Sequence, residues 1–393
     1  MLSTPRGIAL YVGALLGPGL LVLPGLAADR AGPASIVAWA LLLVLSGLVA
    51  VVFARFGTEH RSAGGVADYV TAGLGERAGR AAGWCFLAGI VTGAPIVCTL
   101  GAGYLTGGHT GQALLAGAML ALLIAVSRRG LRTSTGVQLA MVAVLLLVLA
   151  LAVGGALPGS DPANFRPFAP HGWSAIGDAA AVLMLSFVGW EAVAPLTGRF
   201  ADPRRQLPRV IGAAFAITAV LYLALAGVTI AALGAGAGTR TPIAALLTVA
   251  IGPSGQVVAA VAAVLLTLGT VNAYLSGGAE LARTLSRSSW WFPVSLTGAG
   301  VVILALIGLG VVPVAAAVTI PVSFFLLVYV GCMLSAARSM HGPVRLIAAV
   351  AAAANVIILG YAGAAALPAI LVAAVVAGTA RPARPTRQLT STA

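Results

Sequence analysis

Lysine is absent from the 393 residues, and all charged side chains together make up only 8% of them. A water-soluble globular chain carries roughly 25%. So few charges cannot clothe a water-facing surface around a chain of this length, which excludes a soluble globular protein. Lipid around the outer faces resolves the mismatch, since 60% of the residues are hydrophobic. Histidine and cysteine are also sparse, at four and three residues. His60, His109, His171 and His341 fall between apolar runs, so no histidine-based metal or proton site is indicated inside a membrane. Cys85, Cys98 and Cys332 lie within apolar runs at spacings that fit no metal motif, and read as small core side chains. There is no glycine-rich phosphate loop and no Ser/His/Asp arrangement, so an ATP-driven pump or a membrane hydrolase has no support. No enzymatic activity, cofactor or metal is expected.

What the sequence does have is apolar runs. They recur at about 7–28, 35–54, 82–106, 110–127, 136–157, 175–198, 209–233, 255–286, 292–312, 314–337, 343–361 and 363–380. Each is near the roughly 20 residues that cross a hydrocarbon core. The expected fold is therefore an all-α integral membrane bundle of about twelve transmembrane helices, with a tight turn at Tyr361-Ala362-Gly363 in the last hairpin. The N-terminal run has no small-residue cleavage signal and reads as a retained first span. The formal charge of +13 comes from 22 basic residues, all arginine. They sit singly or in adjacent pairs between apolar runs, so topology explains them better than nucleic-acid binding does. Nineteen fall on the side of the N-terminus and three, Arg30, Arg166 and Arg240, on the other, which puts both termini in the cytoplasm. The arginine-, alanine- and glycine-rich usage points to a GC-rich bacterial source, hence a bacterial cytoplasmic membrane.

Between the spans, Val66 to Leu74 is too short to cross and reads as a re-entrant or interfacial helix in the cytoplasmic segment 55–81. The outer segment 158–174 is rich in proline and polar residues, and Thr241 to Leu247 reads as a short helix over the bundle. The Arg/Pro/Thr-rich tail 381–393 is expected to be disordered.

Two spans carry signs of interruption. Span 1 contains Gly17-Pro18-Gly19, where proline removes a helix hydrogen bond and frees backbone groups; a simple kink is the alternative. Span 6 contains Ser186-Phe187-Val188-Gly189-Trp190-Glu191. A carboxyl near mid-membrane costs on the order of 2.5–3.5 kcal/mol and faces a cavity or a partner. Glu191 is then either a protonatable or gating group beside a substrate, or a structural carboxyl bonded to a neighbouring helix. An offset of five spans between the breaks is the pattern of inverted-repeat transporters. It divides the chain into a core of ten spans over 1–338, with repeats at about 7–157 and 175–338, followed by spans 11 and 12 over 339–380.

The chemistry follows from the breaks. A half-helix starting at Gly19-Leu20 presents free N–H groups and a positive dipole end, which suit a carboxylate. Pro18 has no N–H to give but suits a helix start. A half-helix ending at Ser186, Phe187 and Val188 presents carbonyls, which suit an ammonium group. Together they fit a zwitterion about one Cα wide, with its side chain toward Phe187, Trp190 and aliphatic neighbours. With no acid but Glu191 nearby, a neutral apolar substrate fits better than a cationic one. Asn272, Tyr274, Thr267 and Thr270 in span 8 and Thr319 and Ser323 in span 10 either line the path or bond helix to helix. Glu280 is placed to pair with Arg283 or Arg287, and Asp178 and Asp29-Arg30 read as solvated ends.

Gly17-Pro18-Gly19 with Leu23-Pro24, Ser62-Ala63-Gly64-Gly65-Val66-Ala67-Asp68-Tyr69-Val70 with Gly83-Trp84, and Phe187-Val188-Gly189-Trp190-Glu191-Ala192 with Asp202-Pro203-Arg204-Arg205-Gln206-Leu207-Pro208-Arg209 resemble the amino acid–polyamine–organocation superfamily. They occur in that family's order over roughly 7–290 and look most like the bacterial exporters of methionine and branched-chain amino acids. The resemblance implies a LeuT-like 5+5 inverted repeat with discontinuous helices 1 and 6, plus two C-terminal spans. It implies that the substrate carboxylate meets Gly17, Gly19 and Leu20, that the amino group meets the carbonyls of Ser186, Phe187 and Val188, and that Trp190 or Phe187 is the gating aromatic. Protons or exchange are the usual driving partners, and the lipid bilayer is the setting. The chain departs from the pattern at Pro18, where Ser or Thr is common, and at Arg199, where an acid often precedes the Pro-Arg loop. A proton-linked exporter of neutral amino acids is the leading expectation. An importer or exchanger of another small amine, and a transport-inactive sensor with the same fold, stay open.

Overall fold

The computed structural model describes residues 3–17, 19–59, 65–129, 135–191, 200–286 and 290–379. Pro18, most of the Arg61 to Gly65 motif, Ala192 to Arg199, Arg287 and the tail 381–393 lie outside the described residues. Among the described residues every regular element is helical. The α-helices are α1 (Thr4–Leu15), α2 (Gly19–Ala31), α3 (Ser35–Glu59), α4 (Val66–Leu74), α5 (Glu76–Ala102), α6 (His109–Arg128), α7 (Thr135–Ala156) and α8 (Ala175–Leu183). They continue with α9 (Pro203–Leu233), α10 (Pro242–Ile251), α11 (Ser254–Leu285), α12 (Trp291–Gly308), α13 (Val314–Ser339), α14 (Pro343–Tyr361) and α15 (Leu367–Thr379).

Nine helical stretches among them are long and apolar enough to cross a membrane. Their outward faces show why lipid is the matching solvent. In α3, Trp39, Leu42, Val49, Phe53 and Phe56 are buried, while Leu41 and Val44 on the other side are exposed. Leu147 on α7, Val220 on α9, Val257 on α11, Val301 on α12 and Leu346 on α14 are likewise exposed. A helix apolar all round has no face that prefers water. The short helix expected at Val66–Leu74 is α4, packed on α5 and α13, and the short outer helix is α10, whose Ile243, Leu246 and Leu247 are buried against its neighbours. Cys85, Cys98 and Cys332 are buried and unbridged.

The first expected span is two helices. Leu16 leaves the helical region at φ −79° and ψ 60°, and a new helix starts at Gly19. Sequence explains the stop, since Pro18 has no N–H for the carbonyl of Ala14. The sixth span also loses its winding. After α8 come a tight 3-10 turn at Met184–Phe187, an extended Val188 at ψ 133°, and Gly189 at φ 152°. Glycine is required there twice over: few side chains tolerate that φ, and a Cβ would sit 2.6 Å from the Ala14 carbonyl oxygen. The two interruptions thus touch, Gly189 lying against the end of α1, while α2 and α8 pack on each other. Gly189→Ala is expected to separate the two breaks and to destabilise the protein by on the order of 3 kcal/mol, from backbone strain plus overpacking. Thermal unfolding of the purified full chain, monitored by fluorescence-detected size exclusion, checks this; an unchanged midpoint would show that the contact is not needed.

Candidate functional site

A helix broken within a bilayer leaves amide and carbonyl groups that water cannot reach, each costing several kcal/mol if unpaired. Here tyrosine hydroxyls from continuous helices take up that role. Tyr222 of α9 is fully buried, and its hydroxyl lies 2.7 Å from the Leu15 carbonyl oxygen and 2.6 Å from that of Ser186. It therefore straddles both breaks, donating its single proton to one carbonyl at a time. Tyr329 of α13 reaches the carbonyl of Phe187 at 3.4 Å and receives the Gly189 N–H at 3.3 Å.

Glu191 closes the turn. Its Oε2 accepts the Gly189 N–H at 3.0 Å and the Tyr329 hydroxyl at 2.5 Å, and its Oε1 accepts the Tyr274 hydroxyl at 3.3 Å. One buried carboxyl thereby ties the sixth span to α11 and α13. The ion pairs found among the described residues lie elsewhere and are exposed: Asp202 with Arg205 at 3.7 Å, and Glu280 with Arg283 at 3.4 Å, the second being one of the two pairings expected for Glu280.

Between the breaks lies a small, partly open hollow. Gly17 and Gly19 border it from span 1, Leu185 and Val188 from span 6. Ile90, Gly93, Ala94 and Val97 of α5, Thr270, Val271 and Tyr274 of α11, and Phe325 of α13 complete the wall with Ala14. The wall is apolar apart from two hydroxyl side chains and backbone. It suits an aliphatic or thioether side chain and offers no counter-charge to a cationic one.

The structure brings together some of the residues singled out from sequence and separates others. Gly17, Gly19, Val188 and Tyr274 line the hollow. Tyr274 also has its hydroxyl on Glu191, so it joins the wall to the carboxyl. Leu20 is fully buried in the core. Ser186 is buried, with Oγ 3.3 Å from where a Cβ on Gly19 would lie. Phe187 and Trp190 stand behind the break. Phe187 packs edge-on to Tyr222 with ring centroids 5.2 Å apart and beside Trp39 at 5.7 Å. Trp190 packs beside Tyr11 at 6.2 Å and donates its Nε1–H to Ser46 Oγ at 2.9 Å. Asn272 is buried on α11, where its carbonyl accepts the Ser276 hydroxyl. Ser323 and Thr319 on α13 bond back to their own helix.

Sequence reasoning passed over Tyr222, Tyr329 and Ser46. A signal existed for the tyrosines. The chain has seven, and a tyrosine in the interior of an apolar run must find a partner for its hydroxyl. The α5 wall gave no polar signal at all.

Comparison with known proteins places this geometry. Residues 2–376 match the family described as amino acid permease. The chain is 35% identical over 287 residues to an uncharacterized amino acid permease, YecA, of Bacillus subtilis (strain 168), covering 72% of this chain and 68% of that one. It is 31% identical over 398 residues to the L-methionine/branched-chain amino acid exporter YjeH of Escherichia coli (strain K12), covering 95% of this chain and 94% of the relative. It is 25% identical over 241 residues to the branched-chain amino acid permease BcaP of Bacillus subtilis (strain 168), covering 56% and 52%. The match takes in both breaks, the hollow and Glu191, and the chain accordingly belongs to the amino acid permease family of the amino acid–polyamine–organocation superfamily, whose members are membrane transporters and not enzymes.

Proposed function

We propose that this protein is a secondary active transporter that exports neutral, apolar amino acids of the methionine and leucine kind across a bacterial cytoplasmic membrane, with protons moving the other way. The reading rests on the hollow between two interrupted helices, walled by apolar side chains, Val188 among them, and bordered by bare backbone at Gly17 and Gly19. The head of α2 receives the substrate carboxylate at Gly17, Pro18, Gly19 and Leu20. The ends of the sixth-span carbonyls at Ser186, Phe187 and Val188 receive the ammonium. Two of these carbonyls have a tyrosine hydroxyl within reach, Ser186 that of Tyr222, which Leu15 shares, and Phe187 that of Tyr329, which lies closer to Glu191. A carbonyl oxygen has two lone pairs, so an ammonium joins or displaces them. The aliphatic side chain lies toward Ile90, Val97 and Phe325. The name of the exporter relative supports the direction and the substrate class.

In this reading the chain has twelve spans, both termini are cytoplasmic, and 7–157 and 175–338 form two halves of five spans that alternate access to the hollow. Spans 11 and 12 follow over 339–380. Coupling runs through Tyr274, which touches both the hollow and Glu191. All three partners of Glu191 donate to it. A proton on the carboxyl forces one tyrosine to turn from donor to acceptor, loosening the tie between spans 6, 8 and 10. Asn272, two residues before Tyr274 on the same helix and buried, is assigned to the same gate. An importer or exchanger of the same fold differs in direction, and leucine or methionine efflux from preloaded proteoliposomes under an imposed pH gradient decides between them.

Two variants test the site. Glu191→Gln keeps the shape and the acceptor for the Gly189 N–H but removes the titrating proton. It is expected to abolish most pH-driven leucine efflux while the protein remains monodisperse, and flux with wild-type pH dependence would make Glu191 structural. Gly19→Val puts side-chain atoms where a Cβ already lies 3.0 Å from Leu23 and 3.3 Å from Ser186 Oγ. It is expected to weaken leucine binding about tenfold or more, the loss of a hydrogen bond to a charged group. Calorimetric titration of the purified variant reads this directly, and wild-type affinity would move the site elsewhere.

A further inference from the structure

We infer that Ser186 supplies the side-chain hydroxyl that receives the substrate carboxylate, making it the residue that selects free amino acids over amines; this rests on the site proposed above. The start of α2 is poor in donors. Gly17, Gly19 and Leu20 carry no polar side-chain atom, and Pro18 has neither hydroxyl nor N–H. A carboxylate has about four lone-pair sites to fill, so bare backbone at this helix start leaves some unmet.

The missing donor stands on the facing break. Ser186 Oγ is buried and has no hydrogen-bond partner among the described residues. It lies 3.3 Å from the position of a Cβ on Gly19, against the head of α2; Ser186 is not itself part of the wall of the hollow, but Gly19 is, and so are Leu185 and Val188 from the same stretch as Ser186. Its main chain is fixed, because the Ser186 carbonyl oxygen accepts the Tyr222 hydroxyl at 2.6 Å. The buried hydroxyls without a partner among the described residues are those of Ser186, Thr218, Thr229 and Thr267. The three threonines sit within the continuous helices α9 and α11, and Ser186 sits at a break. Buried polar groups are nearly always satisfied, and a ligand carboxylate is the partner that fits both the position and the chemistry. A hydroxyl placed for a carboxylate gives nothing extra to an amine that lacks one.

Binding of radiolabelled L-leucine and L-methionine to the purified full chain tests this, with wild type, Ser186→Ala, Ser186→Cys, Pro18→Ser in the Ser186→Ala background, and Gly19→Val. Ser186→Ala and the near-isosteric Ser186→Cys are expected to lose about tenfold in affinity for both amino acids. Competition by 3-methylbutylamine, which is leucine without its carboxylate, should be unchanged. Adding Pro18→Ser should recover part of the loss by restoring a hydroxyl at the same helix start. Affinity within twofold of wild type in both Ser186 variants, with Gly19→Val impaired, overturns the role of Ser186 and leaves the site standing. An equal loss for the amine marks a structural effect and also overturns it. Wild-type binding by Gly19→Val overturns the site and this inference together.

Discussion

A backbone that stops winding inside lipid must find hydrogen bonds from within the protein, and the rest of this structure is arranged around that demand. Two helices break at touching points, and the groups they release would be intolerable if left dry and unpaired. Tyr222 holds carbonyls of both breaks, and Tyr329 with Glu191 holds the carbonyl and amide side of the second. The two tyrosines come from helices that stay continuous, and Glu191 from the broken span itself. The breaks are thus supported by a frame, and the frame is connected to them by hydroxyl groups. That is a cheap mechanical link. A phenolic hydroxyl swings between acceptors at roughly the net cost of one hydrogen bond, about 0.5–1.5 kcal/mol.

Close approach is the second constraint, and glycine meets it. Gly189 brings the sixth span against the Ala14 carbonyl, and Gly93 brings α5 within 3.3 Å of Pro321 measured from its missing Cβ. The same bareness that permits contact leaves the hollow bordered by backbone at Gly17 and Gly19. A larger residue at these positions would fill the site that the breaks open. Close packing and the bare border of the hollow thus both depend on glycine, at Gly189 and Gly93 for the first and at Gly17 and Gly19 for the second.

Much of this was legible in the sequence, for identifiable reasons. Spans announce themselves because lipid demands continuous apolar length, and α4 stood out because nine residues cannot cross. Pro18 and Glu191 marked the breaks because each is costly in a helix within lipid. What stayed hidden is what depends on three-dimensional proximity. Phe187 and Trp190 look like substrate-facing aromatics in the sequence, yet they pack on Trp39, Tyr222 and Tyr11 behind the break. The turn after Phe187 rotates successive side chains away from a helical face, so no periodicity argument reaches them. The wall contributed by Ile90, Gly93, Ala94 and Val97 carries only apolar and small residues, indistinguishable in sequence from any lipid-facing run. Tyr329 is separated from Glu191 by 138 positions, and only folding brings them within 2.5 Å.

The position of Glu191 ties these threads together. A carboxyl that merely stabilised a turn would need the Gly189 N–H alone. This one also gathers hydroxyls from two other helices, one of which, Tyr274, is itself part of the wall of the hollow. In the proposed cycle this contact links occupancy of the hollow to the hydrogen-bond state of the carboxyl: a side chain displacing Tyr274 moves its hydroxyl, and a change at the carboxyl acts back on Tyr274. Reciprocity of this kind is what any coupled transport cycle requires, since a ligand that alters a partner's equilibrium is altered by it to the same extent. With three donors converging on one carboxyl, the proposed link needs no relay of intervening side chains, only a displacement of the Tyr274 side chain.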